Sequence, residues 1–352
     1  MQHTLAFSHY KIKKDIFMQN LMIRFIFLLA VLFPTLSSAM SVNNIFVFGD
    51  SLSDGGNVYN ITGSSFPPSP YAQRFSNGPV AVEQLASMAG INLLPSTVIG
   101  GTNFAYGGAA TGVVAGTANI DNYLAAPPMS PLAFLNGTGI QNQTNQFIAS
   151  GISFDPNQSL FVLWGGPNDI FTWLDGYSSA TIDQVIAGAI NHIIDSINTL
   201  SSHGAEYFLI PDMVDLGKTP FGKNQGISGQ YYLSQISSSF NAFLGQNLDA
   251  IVGANIFRPD VNNLLQLVQA NPLAYGFDNA IDACLNTSTS TICQNPDRYL
   301  FWDGVHPTEH GHALIAGEFY ATAIPEPPVI ALMSLAILVG FSFRTTSFRI
   351  NL

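Results

Sequence analysis

Asn44-Ile45-Phe46-Val47-Phe48-Gly49-Asp50-Ser51 is the stretch from which the architecture unfolds. Four consecutive apolar residues stop at a glycine, the pattern of a strand buried on both faces that hands over to a turn. Ser51 then stands just past a strand's carboxyl end. The pattern returns in Ser159-Leu160-Phe161-Val162-Leu163-Trp164 before Gly165-Gly166, and in Tyr207-Phe208-Leu209-Ile210 before Pro211-Asp212. Ala254-Asn255-Ile256-Phe257, ahead of Arg258-Pro259-Asp260, is a fourth case. Helical patterns separate these runs, over residues 80–89, 182–200, 230–251 and 308–321. In the second, Val185, Ile186, Ile190, Ile193, Ile194 and Ile197 keep a three-to-four residue rhythm that puts them on one face. Strands alternating with helices predict an α/β domain with a parallel sheet covered on both sides. Segments 57–78 and 112–139, rich in Gly, Pro, Ser, Thr and Asn, read as long loops. At the carboxyl ends of parallel strands such loops build the ligand site.

The composition agrees with one folded domain plus appendages. Of 352 residues, 47% are hydrophobic and only 9% charged, with 31 Gly and 20 Pro, which supplies a large core and many turns and argues against disorder of the bulk. Between residues 40 and 324, five basic residues face twenty acidic ones, a net of −15. Such a field repels phosphate backbones, so nucleic acid is not an expected partner. Before it, Lys11, Lys13, Lys14 and Arg24 precede an apolar run at 25–33, then Pro34 and the small residues Ser37-Ser38-Ala39. This is the layout of a secretory signal peptide, with Met18 as an alternative start, and it predicts export. After it, Pro325-Glu326-Pro327-Pro328 introduces an apolar run at 329–343, followed by Arg344 and Arg349. The run is shorter than the roughly 20 residues a spanning helix needs, yet the arginines suit a cytoplasmic end. The expected organisation is a leader over 1–39, a catalytic domain over 40–324, and a tail over 325–352 that attaches the protein to a membrane or cell surface through 329–343. Cys284 and Cys293 are the two cysteines. In an exported protein they predict one disulfide across a loop, with two free thiols as the alternative that spacing alone does not exclude.

Four blocks carry chemistry. Phe48-Gly49-Asp50-Ser51-Leu52-Ser53-Asp54-Gly55-Gly56-Asn57 supplies a serine, and Gly101-Thr102-Asn103-Phe104-Ala105-Tyr106-Gly107-Gly108-Ala109 is a glycine-rich segment. Gly165-Gly166-Pro167-Asn168-Asp169 follows the second strand, and Phe301-Trp302-Asp303-Gly304-Val305-His306-Pro307-Thr308 offers an Asp-x-x-His pair before a helix. A serine hydroxyl is a weak nucleophile at neutral pH, so it needs an imidazole to take its proton and a carboxylate to hold the imidazole. Each block alone has a plain reading as a turn. Their order raises the chemical reading, and no Gly-x-Ser-x-Gly elbow accompanies them.

Together the blocks resemble those of the SGNH, or GDSL, hydrolases over about residues 44–322. The resemblance implies a three-layer α/β/α, flavodoxin-like fold with a central parallel sheet of about five strands. It implies Ser51 as nucleophile, His306 as its base and Asp303 as the base's partner. Oxyanion donors would be the N–H of Ser51, the N–H of Gly108, chosen by its spacing from Asn103 with Gly107 as the alternative, and the side-chain amide of Asn168, with no cofactor and no metal. The plain structural reading of the Asn168-Asp169 block, apart from the resemblance, is an Asx turn after the strand, closed by Asp169. The tail resembles a PEP-CTERM sorting segment. The implied substrate is a carboxylic ester, of lipid or lysophospholipid in the bacterial lipase and acyltransferase branch, with carbohydrate acetyl esters as the competing class. Phe66, Tyr71, Phe75, Tyr123, Leu132, Phe134 and Phe171 are candidates to line an acyl groove or to form loop core. His306 and His310, spaced as metal ligands on a helix, lack the following glutamate of a zinc peptidase, which makes metal binding the minor reading. His192, His203 and His312 read as structural or solvated. A surface-displayed binding module with an idle site is the alternative outside catalysis.

Overall fold

The computed structural model describes residues 42–127 and 130–324. The expected leader and the apolar tail lie outside them. The central sheet has four parallel strands in sequence order: β1 (Asn44–Gly49), β2 (Ser159–Trp164), β3 (Tyr207–Leu209) and β4 (Asn255–Phe257). β1 and β2 pair in register from Asn44 opposite Ser159 to Gly49 opposite Trp164. Ile45 to Phe48 and Leu160 to Trp164 are all buried, so both faces are covered, which is why these strands read as unbroken apolar runs.

The sheet has one strand fewer than expected, and the fifth position is filled differently. Along the free edge of β1, the glycine-block segment runs parallel without becoming a regular strand. Val47 donates its N–H to Thr102 (3.0 Å), Phe104 donates to the Val47 carbonyl (2.7 Å) and Tyr106 to the Gly49 carbonyl (3.1 Å). Gly101 explains part of the irregularity, since a Cβ there would lie 1.9 Å from the Pro95 carbonyl oxygen.

Sequential parallel strands joined by right-handed crossovers place the connecting helices on one face. These are α3 (Ile140–Ser150), α5 (Ile182–Ser202) and α7 (Gly226–Asp249), each packed on the next, with α4 (Pro167–Leu174) against α5. The other face carries α2 (Ala81–Met88), α8 (Val261–Ala270) and α9 (Glu309–Ala323), with α9 between the other two. α1 (Asn57–Ile61) and α6 (Pro220–Asn224) are short. Thr181 caps α5 reciprocally with Gln184, and Val185, Ile186, Ile190, Ile193 and Ile197 form its buried stripe, as the rhythm predicts, while Ile194 is half-buried.

Beyond β4 the chain forms β5 (Asn279–Ala283), a small hairpin of β6 (Leu285–Asn286) and β7 (Thr291–Ile292), and β8 (Tyr299–Phe301), which pairs with β5. A Cys284–Cys293 disulfide closes the hairpin. Its backbone is tied to the strand that leads to Asp303, since Cys284 donates to the Phe301 carbonyl (3.0 Å) and Leu285 to the Trp302 carbonyl (2.6 Å).

Candidate active site

The turn after β1 is built by its own carboxylates. Leu52 donates its N–H to Oδ1 of Asp50 (2.9 Å), and Ser53 and Asp54 donate to the Asp50 carbonyl. Gly49 admits no side chain, because a Cβ would stand 2.7 Å from the Trp164 carbonyl oxygen. Asp54 collects the N–H groups of Gly56 (2.7 Å), Asn57 (2.6 Å) and Gly107 (2.9 Å), and the Asn57 amide donates to the carbonyls of Asn103 and Ala105 (2.8 Å each). The first block is thereby bolted to the glycine block, and Ser51 is presented beside Gly108.

His306 is 255 residues from Ser51 in sequence, yet its Nε2 lies 2.7 Å from the Ser51 Oγ. Its Nδ1 lies 2.7 Å from Oδ2 and 2.9 Å from Oδ1 of Asp303. Oδ1 also accepts the backbone N–H groups of Val305 (2.9 Å) and His306 (2.8 Å), so the Asp-x-x-His loop folds around its own carboxylate. This arrangement fixes the imidazole tautomer, with Nδ1 protonated and Nε2 free to accept from the hydroxyl. Burial pushes the His306 pKa down, but the charge and hydrogen bond of Asp303 outweigh it and hold the imidazole above its ordinary value. Burial likewise opposes ionisation of Asp303, and the His306 charge reverses this, leaving Asp303 below the ordinary carboxylate range.

Gly108 has φ +77°, and a Cβ there would meet Oδ1 of Asn122 and Cγ of Leu124 at 2.6 Å, so both conformation and space demand glycine. The N–H of neighbouring Gly107 is taken by Asp54. Among the hydrogen bonds of the described residues, none uses the N–H of Gly108 or of Ser51. The Asn168 amide donates to the Ala109 carbonyl (3.0 Å), which sets its orientation, and is 3.4 Å from Oδ2 of Asp50. Asp169 does not close the expected Asx turn. Its carboxylate instead accepts the N–H (2.9 Å) and hydroxyl (2.8 Å) of Thr111, tying α4 to the loop after the glycine block.

Ser51, Gly108, Asn168 and His306 border one crevice whose remaining walls include Phe75, Tyr123, Leu124, Phe171, Val214 and Leu216. Three of the seven groove candidates, Phe75, Tyr123 and Phe171, are therefore present. Phe66 and Tyr71 line a neighbouring crevice on the far side of Phe75, Leu132 packs in loop core, and Phe134 is exposed. His310 bonds the Asp297 carbonyl through Nδ1 (2.7 Å) and packs on Phe277, while buried His312 accepts the Ala81 N–H on Nδ1. Neither shares a partner with His306.

Two contacts at the site carry no local signal in the sequence, one of them made by Tyr71, which was expected only as a groove or loop-core residue. Gln143 on α3 clamps Gly49 from both sides, accepting its N–H and donating to its carbonyl (2.8 Å each). Tyr71 donates its hydroxyl to Oδ2 of Asp303 (2.7 Å) from 232 residues away. Both act across the fold, where neither motif nor periodicity reaches.

A family model described as GDSL-like Lipase/Acylhydrolase matches residues 45–319, and the chain belongs to that family. GDSL esterase/lipase 6 of Arabidopsis thaliana is 28% identical over 340 residues, covering 79% of this chain and 86% of that protein. Lipase 1 of Photorhabdus luminescens is 26% identical over 382 residues, covering 88% of this chain and 54% of that protein. The chain spans about half the length of several curated relatives it matches. A crystal structure of a member of the lipolytic G-D-S-L family from Veillonella parvula aligns over 78% of this chain and 94% of its own, at 15% identity and a TM-score of 0.39.

Proposed function

We propose that this protein is a serine ester hydrolase that cleaves carboxylic esters of apolar acyl chains by an acyl-enzyme route. The observation that carries the reading is the continuous hydrogen-bonded line from Ser51 Oγ through His306 to Asp303 at the border of an apolar crevice. His306 Nε2 takes the hydroxyl proton as Ser51 Oγ attacks the ester carbonyl carbon. The tetrahedral oxyanion is received by the N–H groups of Ser51 and Gly108 and by the Asn168 amide, fixed donors aimed where charge develops. As the C–O bond breaks, His306 returns the proton to the departing alkoxide. Water, activated by the same nitrogen, then releases the acid and restores Ser51. A second alcohol in place of water gives acyl transfer.

The apolar walls favour a lipid or lysophospholipid acyl chain over the acetyl group of a carbohydrate ester, because apolar area removed from water is the main source of affinity there. The leader over 1–39 supports export, and the tail over 325–352, with its apolar run at 329–343, supports membrane or cell-surface attachment in a bacterium. The test is hydrolysis of an acyl-ester series of increasing chain length, with lysophospholipid and acetylated sugar included, by the protein and by Ser51→Ala. Turnover lost in Ser51→Ala by at least about a thousandfold is expected, with preference for longer chains than acetyl. Ligand binding with no turnover on any member would replace the hydrolase with a binding module.

A further inference from the structure

We infer that Tyr71 is a positioning residue of this reaction, its hydroxyl holding the Asp303 carboxylate in place and limiting how strongly that carboxylate draws a proton onto His306. The inference rests on the acyl-transfer reading above. Asp303 is 5% exposed, so water does not replace a missing partner at low cost. The two backbone donors both fall on Oδ1, and Tyr71 is the donor that holds Oδ2 besides the imidazole itself.

The tyrosine is firmly held. Its ring stands edge-on to Trp302 at 6.2 Å, and Trp302 is packed with Cys284 and Leu285 of the disulfide hairpin. Burial and the Asp303 charge push the phenol pKa far above its ordinary value, so Tyr71 remains a donor throughout the working range. A hydrogen bond to the charged carboxylate stabilises that charge and weakens its pull on the imidazolium. Besides Asp303, the ionisable groups that act on His306 are Asp50, which also favours the cation, and His312, which burial holds neutral. A change confined to the Tyr71 hydroxyl leaves both in place.

The sign follows. Without the hydroxyl, Asp303 attracts the imidazolium proton more strongly, the His306 pKa rises, and the neutral base is reached only at higher pH. Tyr71 borders the crevice beyond Phe75 and is not among the walls of the one that contains Ser51, so KM is expected to stay unchanged when the hydroxyl is removed.

The experiment compares the full chain with Tyr71→Phe and with 3-fluorotyrosine incorporated at position 71, whose more acidic phenol is a stronger donor. The kcat/KM pH profile is measured on a soluble acyl ester, and the His306 imidazole is titrated by NMR without substrate. Tyr71→Phe is expected to lower kcat about three- to tenfold with KM unchanged, and to move the acid limb and the His306 titration up by about half a pH unit. Fluorotyrosine, which keeps the side-chain shape should Tyr71→Phe fail to fold, is expected to move both down. An unmoved His306 titration in these proteins overturns the inference, as does a loss of kcat, KM and Tm together with no shift in profile. Absence of Ser51-dependent turnover in the unmodified protein would defeat the hydrolase reading instead, and the substrate-free titration would still decide the role of Tyr71.

Discussion

The Asn168 amide has two hydrogens and one firm acceptor, the Ala109 carbonyl at 3.0 Å, with Asp50 Oδ2 only a distant second at 3.4 Å. One N–H therefore fixes the rotamer, and the other is the donor proposed for negative charge arising beside Ser51. Asn168→Ala is expected to lower kcat about a hundred- to a thousandfold with little change in KM, since the bond strengthens only in the transition state. Steady-state kinetics on the preferred ester checks this, and a kcat within about threefold of the unmodified protein would remove Asn168 from the oxyanion site. At this scale the sequence was most legible where one short block holds both partners. Asp303 and His306 are three residues apart and meet through their own loop. Gln143 and the role of Tyr71 at Asp303 were not legible, because each residue meets its partner across about a hundred residues or more of chain.

Elements became legible in proportion to how cleanly they separate apolar from polar. β1 and β2 are buried on both faces, and the stripe of α5 is almost wholly aliphatic, so their patterns are plain. α3 escaped because its buried positions include Gln143 and Thr144, polar residues spent on clamping Gly49 and on the helix's own carbonyl. The hairpin closed by Cys284–Cys293 matters through its backbone bonds to Phe301 and Trp302, the two residues before Asp303. Replacing both cysteines by serine is expected to cost about 2–3 kcal/mol of stability for so short a loop, and to lower kcat at temperatures where the protein is still folded. Thermal melts and assays side by side measure both effects. A variant with unchanged Tm and kcat would show that the hairpin does not support the site.

For the whole molecule, the buried carboxylates set the response to pH. Burial raises Asp50 and Asp54 to about 6, and Asp169 and Asp212 to about 7, against an ordinary value of 3.8. The folded state thus keeps protons that the unfolded chain releases near pH 4, so the stability they contribute is present at acidic pH and is lost as pH rises through about 6 to 7. The formal net charge of −11 at pH 7 acts in the same direction by self-repulsion. His312, lowered by burial to about 3, and His192, also lowered by burial, oppose them, since their stabilising effect is lost as pH falls below the ordinary value of 6.5. Four raised carboxylates outweigh two lowered imidazoles, and Tm is expected to be higher at pH 5 than at pH 7.5. Calorimetry showing a steady rise in Tm across that interval would mean that the carboxylates are ionised in the folded protein.

By itself the sequence determined the α/β class, the order of the four strands' apolar runs and the residue types gathered at their carboxyl ends. These are local properties, written in consecutive apolar residues, glycine turns and short motifs. The tertiary structure alone decided that the glycine block lies along β1 as an irregular fifth strand, which brings Gly108 beside Ser51. It also decided which aromatics face the crevice, and that Tyr71 reaches Asp303. Each of these depends on where segments far apart in the chain come to rest. That position is set by packing summed over the core, and no short stretch of sequence contains it.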